Sequence, residues 1–512
     1  MILIGELSLW VALLLSAWSG TVAYAGAALG RDDLAESGVR GLYATFAMVV
    51  LASAGLWRAL LSRDFSLEYV AGHLSQNTPR VYAFTALWTG RAGGLLFGAL
   101  MLSFCGTIAI ASARRRNRAA AVWAAGTVSA VLLFIIATSC FAANPFARLD
   151  VTPLDGRGMD PVFQSSAMAL HQPSLLLGYV ATALPFAFTV GVLFTRRLDG
   201  EWVGEVRRWT LIAWLFLTVG IALGMRWAYL EPDRARGGRW ALYAVEDWSL
   251  FPWLAVTVSL HAIVVRTKRQ VLGKWIVILA GASFLLAIVA TTHGPGSIDE
   301  SLPSTSRSPV GTWFSAFFFL AAGITVYLMG TRLRDLAVTA EVESRASKRR
   351  RFGGHIVHAG AVVFLVALAG LQFRREYDAN LKTGEAFEAT DPYGRLWRFV
   401  SQGVSQFDRP DHIVAILALD AYRDGKRVGL ITSEKRTYRD VQGNAFFEPS
   451  IEVGIHSTAT LDAYIIPADI RRVEGSDVAK LEISFNPLVR WVWVGGLLMA
   501  LGGVIVMWPD TV

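Results

Sequence analysis

The chain has 512 residues, 54% hydrophobic and 17% charged, where an ordinary soluble domain carries roughly 25% charge; the deficit lies in long apolar runs whose solvent is lipid. The net charge of +8 does not indicate nucleic acid, because the basic residues stand in short clusters between apolar segments rather than along one stripe. Cys105 and Cys140 both lie inside apolar runs and form no CxxC pair, which excludes a disulfide framework and a thiolate metal site.

The first apolar stretch, Ile2 to Leu29, lacks a basic leader and is too long for a signal-peptide core, so it reads as the first membrane span. Spans are predicted near 5–29, 41–61, 93–112, 119–142, 172–195, 209–226, 250–265, 273–291, 311–330, 355–373 and 488–508, about eleven in all. Four basic clusters orient them. These are Arg114, Arg115, Arg116 and Arg118; Arg196, Arg197, Arg207 and Arg208; Arg266, Lys268 and Arg269; and Lys348, Arg349, Arg350 and Arg351. All four fall on one side, the cytoplasm by the positive-inside rule. The amino terminus and the loops 62–92, 143–171, 227–249 and 292–310 are then expected outside, and the carboxyl terminus inside.

The segment 374–487 differs in kind. It is polar, with alternating runs at Ile413–Leu419 and Arg427–Ile431 and a turn at Arg423-Asp424-Gly425-Lys426. The expected organisation is a helical bundle over 1–373, a small β-rich domain on the outer face over 374–487, and a last span in 488–512. The fold class is therefore an all-α polytopic membrane protein carrying a small β-rich domain.

Histidines supply the candidate chemistry. His261 precedes Arg266 by five residues, and His358 follows Arg351 by seven. Both therefore lie a turn or two inside the cytoplasmic leaflet at about 1.5 Å per residue. Two neutral imidazoles facing each other across a bundle can take both axial positions of a haem iron; an interhelical hydrogen bond is the other reading of each. His171 stands just before a span in His171-Gln172-Pro173, and His293 opens an outer loop in Thr292-His293-Gly294-Pro295. Between them in sequence come Trp227, Tyr229, Trp240, Tyr243 and Trp248. These are either interfacial anchors or a platform for a flat porphyrin.

At this point the residues resemble a known family. Asp64-Phe65-Ser66-Leu67-Glu68-Tyr69-Val70-Ala71 with Ala86-Leu87-Trp88 resembles an outer loop and span of the CcmF family of cytochrome c-type biogenesis haem lyases. So do His171-Gln172-Pro173 with Leu177-Gly178-Tyr179-Val180, and Ser249-Leu250-Phe251-Pro252-Trp253-Leu254. Arg350-Arg351-Phe352-Gly353-Gly354-His355-Ile356-Val357-His358, Glu434-Lys435-Arg436-Thr437-Tyr438 and Asn486-Pro487-Leu488-Val489-Arg490-Trp491 are similar to later motifs, in the same order along nearly the whole chain. The resemblance implies a bacterial inner-membrane protein of cytochrome c maturation that attaches haem covalently to the CxxCH thiols of apocytochrome c. It implies haem b in the membrane on His261 and His358. It also implies a transient haem substrate at the periplasmic face, with His171 as its first ligand and His293 as a displaced candidate for the second. Trp227, Trp240 and Trp248 belong to the implied platform, and Arg239 is a candidate partner for a haem propionate. The implied partners are a periplasmic haem chaperone, other maturation subunits and a quinol; no catalytic nucleophile or base is implied.

The likeness has departures. The family signature reads roughly GGWWxWDPVEN, whereas here Leu242 replaces a tryptophan and Tyr243 the aspartate. Extra spans that longer relatives carry between the segments ending near Gly330 and starting near Gly354 are missing. A non-catalytic haem-binding or assembly subunit is therefore a second reading. A secondary transporter is a third, although the span centres hold almost none of the ionisable residues it would need.

Overall fold

The computed structural model describes residues 1–198, 200–231, 248–265, 272–293, 309–333, 337–338, 348–409, 412–438, 449–473 and 476–508. Arg239, Trp240 and the altered signature positions Leu242 and Tyr243 lie outside the described residues.

The apolar runs fold as helices. In lipid, a helix satisfies every backbone N–H and C=O within its own segment. Helices α1 (Ile2–Leu29) and α2 (Asp32–Ser62) form a hairpin, closed by Gly30 in the left-handed region at φ 65°. They pack through small residues, as membrane helices do without a hydrophobic drive between them. A Cβ on Gly38 would lie 2.5 Å from the Ala23 nitrogen, and the Ser19 hydroxyl donates to the Gly38 carbonyl at 2.7 Å.

The expected outer loop 62–92 instead holds two short helices, α3 (Glu68–His73) and α4 (Arg80–Thr89). Tyr69 and His73 knit them. The Tyr69 hydroxyl donates to the Ala86 carbonyl at 2.7 Å, and the His73 ring stacks on Tyr69 at 4.3 Å. The spans α5 (Arg91–Arg114), α6 (Arg118–Phe141), α7 (Ser166–Thr195) and α8 (Gly200–Leu230) follow. Helix α7 starts five residues before His171, so that histidine sits within the helix rather than closing a loop. Likewise α8 runs to Leu230 and takes in Trp227.

Next come α9 (Leu250–Val265), α10 (Leu272–His293), α11 (Pro309–Arg332), α12 (Lys348–Gly370) and, after the β-rich segment, α13 (Val489–Met507). Among the described residues, 10 helices are long and apolar enough to cross a membrane. The remaining expected span is α9, at 16 residues shorter than the others. The two-residue strands β1 (Arg197–Leu198) and β2 (Ala337–Val338) pair in parallel.

The chain divides into two compact units. One comprises Met1–Met159, Ala169–Ile221 and Ala244–Ala346; the other Asp160–Met168, Ala222–Tyr243 and Ser347–Val512. In the second, α12 and α13 pack through glycines spaced seven apart. A Cβ on Gly360 would lie 2.8 Å from the Met499 nitrogen, and one on Gly502 would lie 2.7 Å from that of Val357. With no side chain at these positions, the backbones approach closely enough for dispersion to hold the pair.

The β-rich segment forms two antiparallel sheets. The first orders β3 (Arg375–Lys382), β11 (Ser476–Pro487), β10 (Leu461–Val473) and β9 (Gly454–Ser457). The second orders β4 (Ala386–Thr390), β5 (Leu396–Asp408), β6 (His412–Arg423), β7 (Lys426–Tyr438) and β8 (Ser450–Glu452). The expected turn joins β6 to β7, with Asp424 at φ 49° and Gly425 at φ 79°, as a two-residue hairpin requires. Trp397, Phe399 and Phe485 centre one shared core. The Trp397 indole donates to the buried Asp391 carboxylate at 3.1 Å, so the largest core side chain leaves no polar atom unpaired.

Candidate functional site

Close approach of α7 and α8 decides the environment of His171. A Cβ on Gly178 would lie 2.8 Å from the Leu217 nitrogen, and one on Gly220 would lie 2.8 Å from that of Leu175. The two glycines let the backbones meet. His171, 2% exposed, then reaches the Gly220 carbonyl with Nδ1 at 2.8 Å. A carbonyl only accepts, so Nδ1 carries the proton, and in the neutral ring Nε2 is the basic nitrogen.

The same tautomer recurs twice. His261 on α9 donates from Nδ1 to the Thr257 carbonyl at 2.9 Å, and His358 on α12 donates to the Gly354 carbonyl at 2.7 Å. Both imidazoles are exposed, in contrast to His171. An imidazole on the outside of an apolar span is costly to leave facing lipid. Each ring therefore carries its proton on Nδ1 and is oriented by a hydrogen bond to its own helix. His261 belongs to the first compact unit and His358 to the second.

A reciprocal tie sets the position of His261. Trp214 Nε1 of α8 donates to the Thr257 hydroxyl of α9 at 3.0 Å, and Trp253 Nε1 of α9 donates to the Thr218 hydroxyl of α8 at 2.8 Å. Thr257 also supplies the carbonyl that holds the histidine. Neither threonine stands out in the sequence. The signal that could have found them is the pairing of two tryptophans with two threonines, each pair four residues apart.

The remaining candidates divide. Trp227 is 8% exposed and packed within the last turns of α8, not displayed on a loop. Trp248 is 38% exposed at the start of α9, with its ring 5.6 Å from Phe251. Its φ of 59° puts a bulky residue in the left-handed region, which costs about 1–2 kcal/mol and turns the chain sharply into the helix. His293 is the last residue of α10 rather than a loop residue. Among the described residues, no cluster of three or more His, Cys, Asp or Glu forms a metal site.

Comparison with known proteins bears on the family and the fold. The family described as Cytochrome C assembly protein matches residues 88–292, the stretch that holds His171 and His261. The Rhodobacter capsulatus cytochrome c-type biogenesis protein ccl1 is 32% identical over 390 residues, covering 75% of this chain but only 59% of that relative. CcmF of Pseudomonas aeruginosa is 26% identical, covering 98% of this chain and 95% of the relative. That alignment spans 646 positions, more than this chain's 512 residues, so the relative carries segments absent here. A solved cytochrome c haem lyase CcmF shares the fold, with a TM-score of 0.78 over 99% of this chain and 98% of that one at 22% identity. The family replaces the transporter reading. With near full-length relatives, the matching fold and the ordered motifs agreeing, the chain belongs to the CcmF family of cytochrome c-type biogenesis proteins.

Proposed function

We propose that this protein serves cytochrome c maturation as a haem lyase, holding haem at the outer membrane face while apocytochrome c thiols add to it. Each CxxCH cysteine would add its S–H across one haem vinyl. Sulfur bonds one vinyl carbon and the proton goes to the other, so the step needs no oxidant. The chain's task is to present the ring and keep its iron ligated. His171 Nε2 is the proposed ligand of the substrate haem, and Trp248 is a proposed stacking surface for it. His293, Trp240 and Arg239 remain proposed second ligand, platform and propionate partner, and Trp227 supports the platform from within α8.

Resident haem b, when bound, supplies one-electron transfer, with a quinol as the source. Its proposed ligands are Nε2 of His261 and His358. The observation that carries the reading is the shared tautomer: three imidazoles each commit Nδ1–H to a backbone carbonyl. Proposed partners are apocytochrome c, a periplasmic haem chaperone and other maturation subunits. The proposed location is the bacterial inner membrane, with the amino terminus and the β-rich domain outside and the carboxyl terminus inside.

The altered signature, with Leu242 and Tyr243, favours a second reading as a haem-binding assembly subunit without lyase activity. A pyridine haemochrome assay of the purified protein tests the shared premise. Wild type should carry a b-type haem, and His261→Ala and His358→Ala should each lower its occupancy by about tenfold or more. A folded wild type that takes up no haem on supplementation overturns the membrane-haem assignment.

A further inference from the structure

The end of α8 is held by the β-rich domain through buried polar contacts that membrane insertion alone does not require. Ser457, Asp462 and Asn486 are direct cross-strand partners on β9, β10 and β11, forming a polar row across the first sheet. Asp462 is 3% exposed and Tyr229, on the last turn of α8, is fully buried. The Tyr229 hydroxyl donates to Asp462 Oδ2 at 3.0 Å, and the Ser457 hydroxyl donates to Oδ1 at 2.5 Å. In return, the Tyr464 hydroxyl donates to the Tyr229 carbonyl at 2.7 Å, with the two rings 4.9 Å apart.

The second sheet grips the same turn. Ser450 on β8 donates to the carboxylate of Glu231, 7% exposed, at 3.4 Å. Helix α13 adds a third hold, with the Arg226 guanidinium 5.5 Å over Trp493. A buried carboxylate is a poor device for stability alone, because desolvation offsets much of its attraction. Burial indeed pushes the Asp462 carboxyl above the usual range, against the pull of Arg226 and Arg490. What such a group does supply is a single allowed register.

We propose that Tyr229, Asp462 and Glu231 are positioning residues, through which the β-rich domain fixes the exit turn of α8 for the haem-handling reaction. The inference rests on the proposed function, since the altered signature follows this turn directly in sequence.

Tyr229→Phe keeps the ring and removes only the hydroxyl. Amide exchange is measured on the full-length protein in nanodiscs, over residues 222–231 and over the hairpin 412–438 as control. Holocytochrome yield of a co-expressed reporter and haem content per chain are measured alongside. Exchange over 222–231 should rise about tenfold, with the control and haem content unchanged and reporter yield falling by a similar factor. Asp462→Asn, which keeps an acceptor oxygen for Tyr229, should restore most of what Asp462→Ala loses. The asparagine variant also decides the matter if the phenylalanine variant fails to fold. Unchanged exchange over 222–231 overturns the anchor. Raised exchange with a full reporter yield reduces it to architecture and overturns the positioning role. A wild type that matures no reporter, with exchange still raised in the variant, sinks the lyase reading and the positioning role with it, leaving only a structural tie.

Discussion

His171 and the pair His261 and His358 share a tautomer and differ in everything around it. His171 is sealed between α7 and α8 at 2% exposure, while the other two stand exposed on their helices. The hydrogen bond that fixes an imidazole is local in α9 and α12, from a carbonyl four residues back on the same helix. In α7 it comes from another helix. A ligand held by its own helix is ready wherever that helix goes, whereas one held by a neighbour depends on how two helices meet. On the proposed reading, the first pair would hold a resident group and His171 a passing one.

The contrast can be broken outright by His171→Ala. We expect the b-type haem content to stay within error of wild type while reporter holocytochrome falls on the order of a hundredfold, the cost of a misplaced reactant. A parallel loss of haem content would show that the two classes of histidine are not separate. A gentler probe is Gly220→Leu. Its Cβ would meet the Leu175 backbone at 2.8 Å, and backbone cannot swing aside. Forcing α7 from α8 should cost about 1–3 kcal/mol in thermal stability, lower reporter yield and spare the haem spectrum. Loss of the spectrum too would tie His261 to the same contact.

The smallest effect sharpens the point about burial. His73, outside the spans, is half-buried against Tyr69, and desolvation lowers its pKa. A depressed histidine contributes stability that is whole above its ordinary value of about 6.5 and is lost as pH falls toward the folded value. Unfolding free energy should therefore decline between pH 7.5 and pH 5, by no more than about 1.4 kcal/mol per pH unit, and His73→Gln should flatten the slope. A slope unchanged in that variant would place the acid sensitivity elsewhere.

The spans were legible because lipid demands long apolar helices, and the β6–β7 hairpin because Asp424-Gly425 tolerates positive φ. The helices that carry His261 and His358 were legible for the same reason, their ends marked by arginines. The burial of His171 could not be read the same way. It depends on Gly178 meeting Leu217 and Gly220 meeting Leu175 across the two helices, and a glycine in an apolar run looks like any other small residue. The short helices α3 and α4 were missed for a related reason: their polar faces carry no span-length signal, and Tyr69 and His73 are satisfied only by each other and by backbone around Gly90. The grip of Asp462 on Tyr229 is likewise invisible, since it joins residues 233 positions apart.

The glycine seam between α12 and α13 has a consequence for biogenesis. The two helices bracket the whole β-rich segment, so α12 is synthesised well over a hundred residues before the partner whose glycines complete it. At the usual 5–20 residues per second, α12 precedes the glycines of its partner by roughly 6–24 s. Closure of that seam is a late event, and it records that the intervening domain has been threaded and the chain has come back.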